Sequence, residues 1–88
     1  MIIKIGNIVI EDWVYDGWDY CRPLVSPRYV QHGIVIYYHS VVYFSKIFPF
    51  KNEWERFYDQ SKAFDSIEEA KSAVDNFLIK MSKLAAFI

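Results

Sequence analysis

Ser66-Ile67-Glu68-Glu69-Ala70-Lys71-Ser72-Ala73-Val74-Asp75-Asn76-Phe77-Leu78-Ile79-Lys80-Met81 is the stretch on which the reading of the fold turns. A serine followed three residues later by a glutamate is a capping box, which satisfies two amide donors that a helix start leaves without intrahelical partners. Glu68 and Glu69 lie at the positive end of the helix dipole, and Lys80 and Lys83 toward its negative end. Ile67, Ala70, Val74, Phe77, Leu78, Met81, Leu84 and Ala85 recur at helical spacing, while Glu69, Lys71, Ser72, Asp75, Lys80 and Ser82 fall elsewhere. The pattern predicts an amphipathic helix over about 66–86 whose apolar stripe packs on a sheet. Burying each large side chain of that stripe contributes roughly 1.5–3 kcal/mol, so Phe77 and Met81 read as core.

Upstream, the pattern changes to that of strands. Ile2-Ile3-Lys4-Ile5 and Ile8-Val9-Ile10 are β-branched runs separated by Gly6-Asn7, a favoured two-residue hairpin connection. The second arm is expected to continue to Tyr15, to turn at Asp16-Gly17 and to return as a third strand over Trp18 to Val25. Pro23 cannot donate to a ladder, which predicts an edge position or a strand end. Ser26-Pro27 and Gln31-His32-Gly33 bracket an expected loop, followed by the most strand-like run, Ile34 to Phe44, expected as the longest strand. Between Lys46 and Ser61, Pro49 interrupts regular structure, Asn52 to Tyr58 suits a short helical turn, and Lys62 to Phe64 suits a last edge strand. The expectation is an α+β fold in a single domain, residues 1–88. An antiparallel sheet of three to five strands packs on one C-terminal amphipathic helix.

Composition narrows the functional classes. The 88 residues are 53% hydrophobic and 19% aromatic, which supports a buried core and excludes overall disorder. A net charge of −1, from ten basic and eleven acidic side chains, removes the broad attraction to phosphate typical of nucleic-acid-binding domains. Cys21 is the only cysteine and has no internal partner, so a reducing, cytoplasmic setting is the simplest expectation. The apolar start at Met1 to Ile5 is too short for a signal peptide's core. The run Ile34 to Phe44 is about half the length that spans a bilayer, so no membrane segment is expected.

A single helix covers one sheet face, and the other face must meet water, a loop or another protein. In the run from Ile34 to Phe44, one face reads Ile34, Ile36, Tyr38, Ser40, Val42, Phe44 and the other Val35, Tyr37, His39, Val41, Tyr43. Both are apolar, against the alternation of a sheet with one wet face. The second set is expected to point outward, joined by Trp13 and Tyr15 from a neighbouring strand. Such a surface suits an interaction site, self-association included, unless Phe48, Phe50, Trp54 and Phe57 fold back over it as a second small core. A further cluster, Glu11-Asp12-Trp13-Val14-Tyr15-Asp16-Gly17-Trp18-Asp19-Tyr20, interleaves four acids with four aromatic residues. Acids beside flat rings suit a basic partner, because arginine pairs with a carboxylate and stacks on a ring; otherwise the rings point inward and the carboxylates are solvated.

Catalytic and metal-binding patterns are missing. His32, His39 and Cys21 show no zinc-ligand spacing, and His39 and Ser40 point to opposite faces of an expected strand. Gly6, Gly17 and Gly33 are isolated and form no phosphate loop. Asp16 and Asp19 would need a pocket for acid–base work, and three glycines with short turns leave little material for one. Neither an enzyme, a cofactor nor a metal is expected. Nucleic acid is the less favoured partner: sheet aromatics could stack on bases with Lys46, Lys51, Arg56 and Lys62 at phosphates, but Glu53, Glu55 and Asp59 dilute that basic group.

The segment Ala63-Phe64-Asp65-Ser66-Ile67-Glu68-Glu69-Ala70-Lys71-Ser72-Ala73-Val74-Asp75 resembles an FDS-x-EEA-x-x-A-(V/I)-D ending of small phage and prophage proteins, where a last strand feeds a helix. In size, aromatic content and α+β plan the chain is also similar to anti-CRISPR and related phage-encoded inhibitors. The resemblance implies a non-enzymatic inhibitor that occludes a site on a host defence protein, in the host cytoplasm. Near-zero net charge separates the chain from the strongly acidic DNA mimics of that group. The expected contacts with a basic host surface are Trp13, Asp16, Trp18, Asp19 and Tyr20, with Tyr37 and Tyr43 as sheet anchors. The alternatives are a small nucleic-acid or nucleotide binder and a homodimeric structural accessory.

Overall fold

A computed structural model of the chain describes residues 1–26, 30–37, 41–44, 50–58 and 63–85, the side chains of residues 30–32, 37, 41–44, 57 and 85 excepted. The elements run in the order β1 (Ile3–Ile5), β2 (Ile8–Ile10), β3 (Val14–Tyr15), β4 (Tyr20–Val25), β5 (Val30–Tyr37), β6 (Val41–Phe44), α1 (Lys51–Phe57) and α2 (Ile67–Ala85). Every strand pairing is antiparallel, and the main path through the sheet is β1-β2-β4-β5-β6, five strands, at the upper end of the three to five expected from the sequence. The two-residue β3 pairs with β4 off that path.

The Gly6-Asn7 hairpin forms as expected, with Ile5 opposite Ile8. The second arm does not run unbroken to Tyr15. It leaves the ladder after Ile10 and re-enters as β3, so β2 and β3 share one side of β4 while β5 takes the other. Pro23 overturns the expectation of an edge, since it lies inside the central strand β4. Its missing N–H is tolerated because the register shifts between Arg22 and Pro23, and its carbonyl accepts the Glu11 amide at 2.9 Å in the gap between β2 and β3.

Gln31, His32 and Gly33, expected in a loop, belong to β5. Arg22 faces Ile34 while Pro23 faces His32, which leaves Gly33 as the extra residue of a bulge. A β-carbon at Gly33 would meet the Leu24 β-carbon at 2.6 Å, so only glycine fits this approach. The run 34–44 is likewise not one strand. β5 and β6 form a hairpin with Tyr37 opposite Val41, which gives the backbone of both halves ladder partners. Tyr38, His39 and Ser40 lie outside the described residues, as do Lys46, Phe48, Pro49, Asp59 and Lys62. Cross-strand neighbours share a face, so positions 35, 37, 41 and 43 still fall on one side and 34, 36, 42 and 44 on the other.

The core lies on the side of Ile3, Ile5, Ile10, Leu24, Ile34 and Ile36, against Ala70, Val74, Phe77, Leu78 and Met81 of α2. The predicted stripe therefore packs on the sheet up to Met81. Leu84, assigned to it by spacing, is exposed, and the Ala85 side chain is not described. Ser66 caps α2 by accepting the Glu69 amide on its hydroxyl at 3.1 Å. The expected helical turn at 52–58 is α1, and of the four aromatic residues expected over the outward face, Trp54 and Phe50 turn instead to the helix side, while Phe48 and the Phe57 side chain lie outside the described residues. Trp54 is buried in the α2-side core, edge-on to Phe77 at 5.2 Å and stacked on Tyr58 at 4.0 Å, and Phe50 packs against the same cluster. Both helices thus serve one core. Ala63 and Phe64 are not in a strand, contrary to the expected last edge strand.

Candidate functional site

The turn between β3 and β4 is built by Asp16. Its Oδ1 accepts the amides of Trp18 at 2.9 Å and Asp19 at 2.8 Å, and its own amide donates to the Asp19 carbonyl at 3.1 Å. Such a carboxylate turn needs a flexible link, and Gly17 supplies it at φ 98. The Tyr15 hydroxyl donates to the Gly17 carbonyl at 3.2 Å, which ties the turn to β3. The result is a tip whose backbone is held from within, with Trp18 on it 87% exposed. Tyr15 and Val14 beside it are exposed at 58% and 47%.

Behind the tip, the rings of Tyr15 and Tyr20 meet at 4.9 Å, and the Lys71 ammonium of α2 sits 3.9 Å from the Tyr20 ring centroid. This contact places Tyr20, and Tyr15 opposite it, on the helix side of the sheet. Trp13 is on that side too: its indole N–H donates to Asp75 Oδ1 on α2 at 2.9 Å. Trp13 and Tyr15 therefore do not join the outward face as expected, because the break after Ile10 re-sets which side the chain presents. The outward row instead includes Val14, Cys21 and Val35, with Tyr43 at the next register position.

Arg22, fully buried, joins the Trp13 cluster to the strands. Its Nη1 donates to Asp75 Oδ1 at 2.6 Å, its Nε to the Glu11 carbonyl at 2.9 Å and its Nη2 to the Met1 carbonyl, while its guanidinium lies 5.7 Å from the Trp13 ring centroid. Glu11 sits where the chain leaves β2, so the arginine replaces a missing strand neighbour. The carboxylate of Asp75 and the Trp13 ring complete its surroundings.

The sequence pattern by itself places neither Arg22, Asp75 nor Lys71 in this cluster. The available signal for Arg22 is its alternation with Cys21 in a strand, which demands a buried partner for whichever face is core. Asp75, at the margin of the helix stripe, is the acid within reach. Of the predicted contacts, Asp16, Trp18 and Asp19 share the turn, Tyr20 meets the Tyr15 ring behind it, Trp13 is held apart from it by Asp75 and Arg22 on the helix side, and Tyr37 and Tyr43 occupy outward register positions in β5 and β6, their side chains not described.

The electrostatics of the corner are acidic. Asp12 is held below the usual carboxylate range by its hydrogen bond to the N-terminal ammonium and by the Trp13 amide. Burial pushes the Cys21 thiol up, and the charges of Asp16 and Asp19 push it further. Among the described residues, no group of three or more histidine, cysteine or acidic side chains is placed to hold a metal ion. The arrangement offers flat rings flanked by carboxylates to an incoming surface. No protein-family model, curated protein or solved structure matches the chain.

Proposed function

We propose that the chain is a non-enzymatic protein-binding module that docks through the β3–β4 turn onto a basic protein surface. The observation that carries this reading is Trp18, an indole left 87% exposed at the tip of a turn whose backbone is already ordered by Asp16. A large ring held out into water costs solvation, whereas tryptophan at a protein interface is among the commonest anchors, and a pre-ordered loop loses little entropy on docking. Tyr15, exposed and bonded through its hydroxyl to the Gly17 carbonyl, extends the contact on the helix side. The resemblance to phage proteins narrows the proposal to a phage or mobile-element inhibitor that covers a site on a host defence protein and acts by steric occlusion.

The test is affinity capture from host extract with tagged wild type, Trp18→Ala, and Lys83→Ala, a control at an exposed site on α2. The expected result is one set of host proteins retained by wild type and K83A and lost with W18A, with all three chains melting alike. Equal retention by W18A overturns the turn as the docking site. Recovery of nucleic acid with steep salt dependence would overturn the protein-binding reading itself.

A further inference from the structure

The chain's own buried arginine shows what a carboxylate and an indole can hold together. In the interior, Asp75 Oδ1 accepts the Arg22 guanidinium at 2.6 Å and the Trp13 indole N–H at 2.9 Å, with the guanidinium carbon 5.7 Å from the Trp13 ring centroid. Indole, carboxylate and guanidinium thus form a triad, one partner neutralising the cation and the other offering its π face. At the surface, Trp18 and Asp19 are adjacent in the Asp16 turn, an exposed indole and a half-exposed carboxylate. Asp16 is engaged in the turn itself, its Oδ1 accepting two backbone amides, so Asp19 is the carboxylate better suited to a partner.

We propose that Trp18 and Asp19 form an arginine-selective subsite: the guanidinium of one arginine on the partner protein pairs with the Asp19 carboxylate and lies against the Trp18 indole. This deepens the docking reading above and rests on it. Arginine is preferred over lysine because a planar, weakly hydrated guanidinium meets a ring and a carboxylate together, whereas a compact ammonium keeps its water and approaches as a point charge. Asp16 acts as a positioning residue, since its carboxylate holds the turn. The second cation of the corner, Lys71, already sits over Tyr20, which leaves the Trp18 side as the exposed ring of the pair.

The experiment is an NMR titration of the full isotope-labelled chain with blocked peptides alternating glycine with arginine, with lysine, or with citrulline, which keeps the shape of arginine without its charge. The expected result is saturable movement of the Trp18 indole N–H and Asp19 amide signals, roughly two- to fivefold tighter for arginine than lysine and absent for citrulline. Asp19→Asn should abolish the preference for arginine, Asp19→Glu should keep it, and Trp18→Ala should remove binding at the turn, each with the spectral dispersion of a folded chain. Equal response to arginine and lysine, an unchanged preference in D19N, or shifts centred away from the turn would overturn the subsite. None of those outcomes touches the docking reading, which is decided separately by loss or retention of captured protein in W18A.

Discussion

Arg22 is the residue whose chemistry depends most on its neighbours. It is buried, and its charge is matched by Asp75, which keeps 27% of its side-chain surface in water. Arg22→Ala would leave the Glu11 carbonyl without its donor and the Asp75 carboxylate without its cation, and breaking such a buried pair costs about 3–5 kcal/mol. Because Asp75 can rehydrate, the expected loss lies toward the lower end of that range. Arg22→Met, which keeps the volume and removes the charge, should cost less than R22A. Urea denaturation checks both, as midpoints lowered at constant slope.

Cys21 gives a prediction of opposite sign to the usual acid effect. Its folded-state pKa is raised above the ordinary 9.0 by burial and by Asp16 and Asp19, so the folded chain holds its proton where the unfolded chain releases it. Stability from this group is unchanged below pH 9.0 and is lost as pH rises toward the raised value. Comparing denaturation of wild type and Cys21→Ala across that range should show a steeper alkaline decline in wild type. A thiol reagent should label Cys21 far more slowly in the folded chain than in denaturant, because the reactive thiolate is both scarce and covered.

At the scale of elements, the start of α2 and the bulge of β5 each answer to one residue. Ser66→Ala removes the hydroxyl that caps the Glu69 amide and should cost about 1 kcal/mol, read as a lower thermal midpoint. In β5, Gly33→Ala sets two β-carbons 2.6 Å apart, neither at the flexible end of a side chain, so β4 and β5 must separate. Overpacking of this kind costs roughly 1–3 kcal/mol. Amide exchange should quicken along the β4–β5 ladder in G33A while α2 stays protected until global unfolding. Had the bulge been accidental, the substitution would leave exchange in that ladder unchanged.

At the scale of the whole molecule, one core is shared by the sheet and both helices. Trp54 joins α1 to α2 through Phe77 and is buried within the strand-side cluster. Trp54→Ala should therefore cost about 3–5 kcal/mol and lower a single unfolding transition seen alike by far-UV and near-UV dichroism. Two separate transitions would mean that α1 belongs to another core. Among the described residues, no helix is long and apolar enough to cross a membrane. The proposed contact site lies at one sheet corner, where β3, the β4 start and the α2 start converge through Tyr20, Lys71 and Trp13.

The elements governed by near neighbours along the chain are legible in the amino-acid sequence alone: the cap at Ser66, the stripe through Met81, the Gly6-Asn7 hairpin and the turn at Asp16-Gly17. Each depends on contacts a few residues apart, so periodicity and turn chemistry suffice. Features that rest on distant neighbours are not legible there. Pro23 in a central strand depends on the gap between β2 and β3, Gly33 as a bulge depends on Leu24, and Trp54 on the α2 side depends on Phe77. The candidate site divides the same way. Local chemistry is enough to mark Asp16-Gly17 as a turn, but Trp18 and Asp19, expected to open the third strand, stay in the turn because Asp16 takes both their amides and β4 starts only at Tyr20. Trp13 is held on the helix side by Asp75, 62 residues along the chain, through a hydrogen bond that no local pattern encodes.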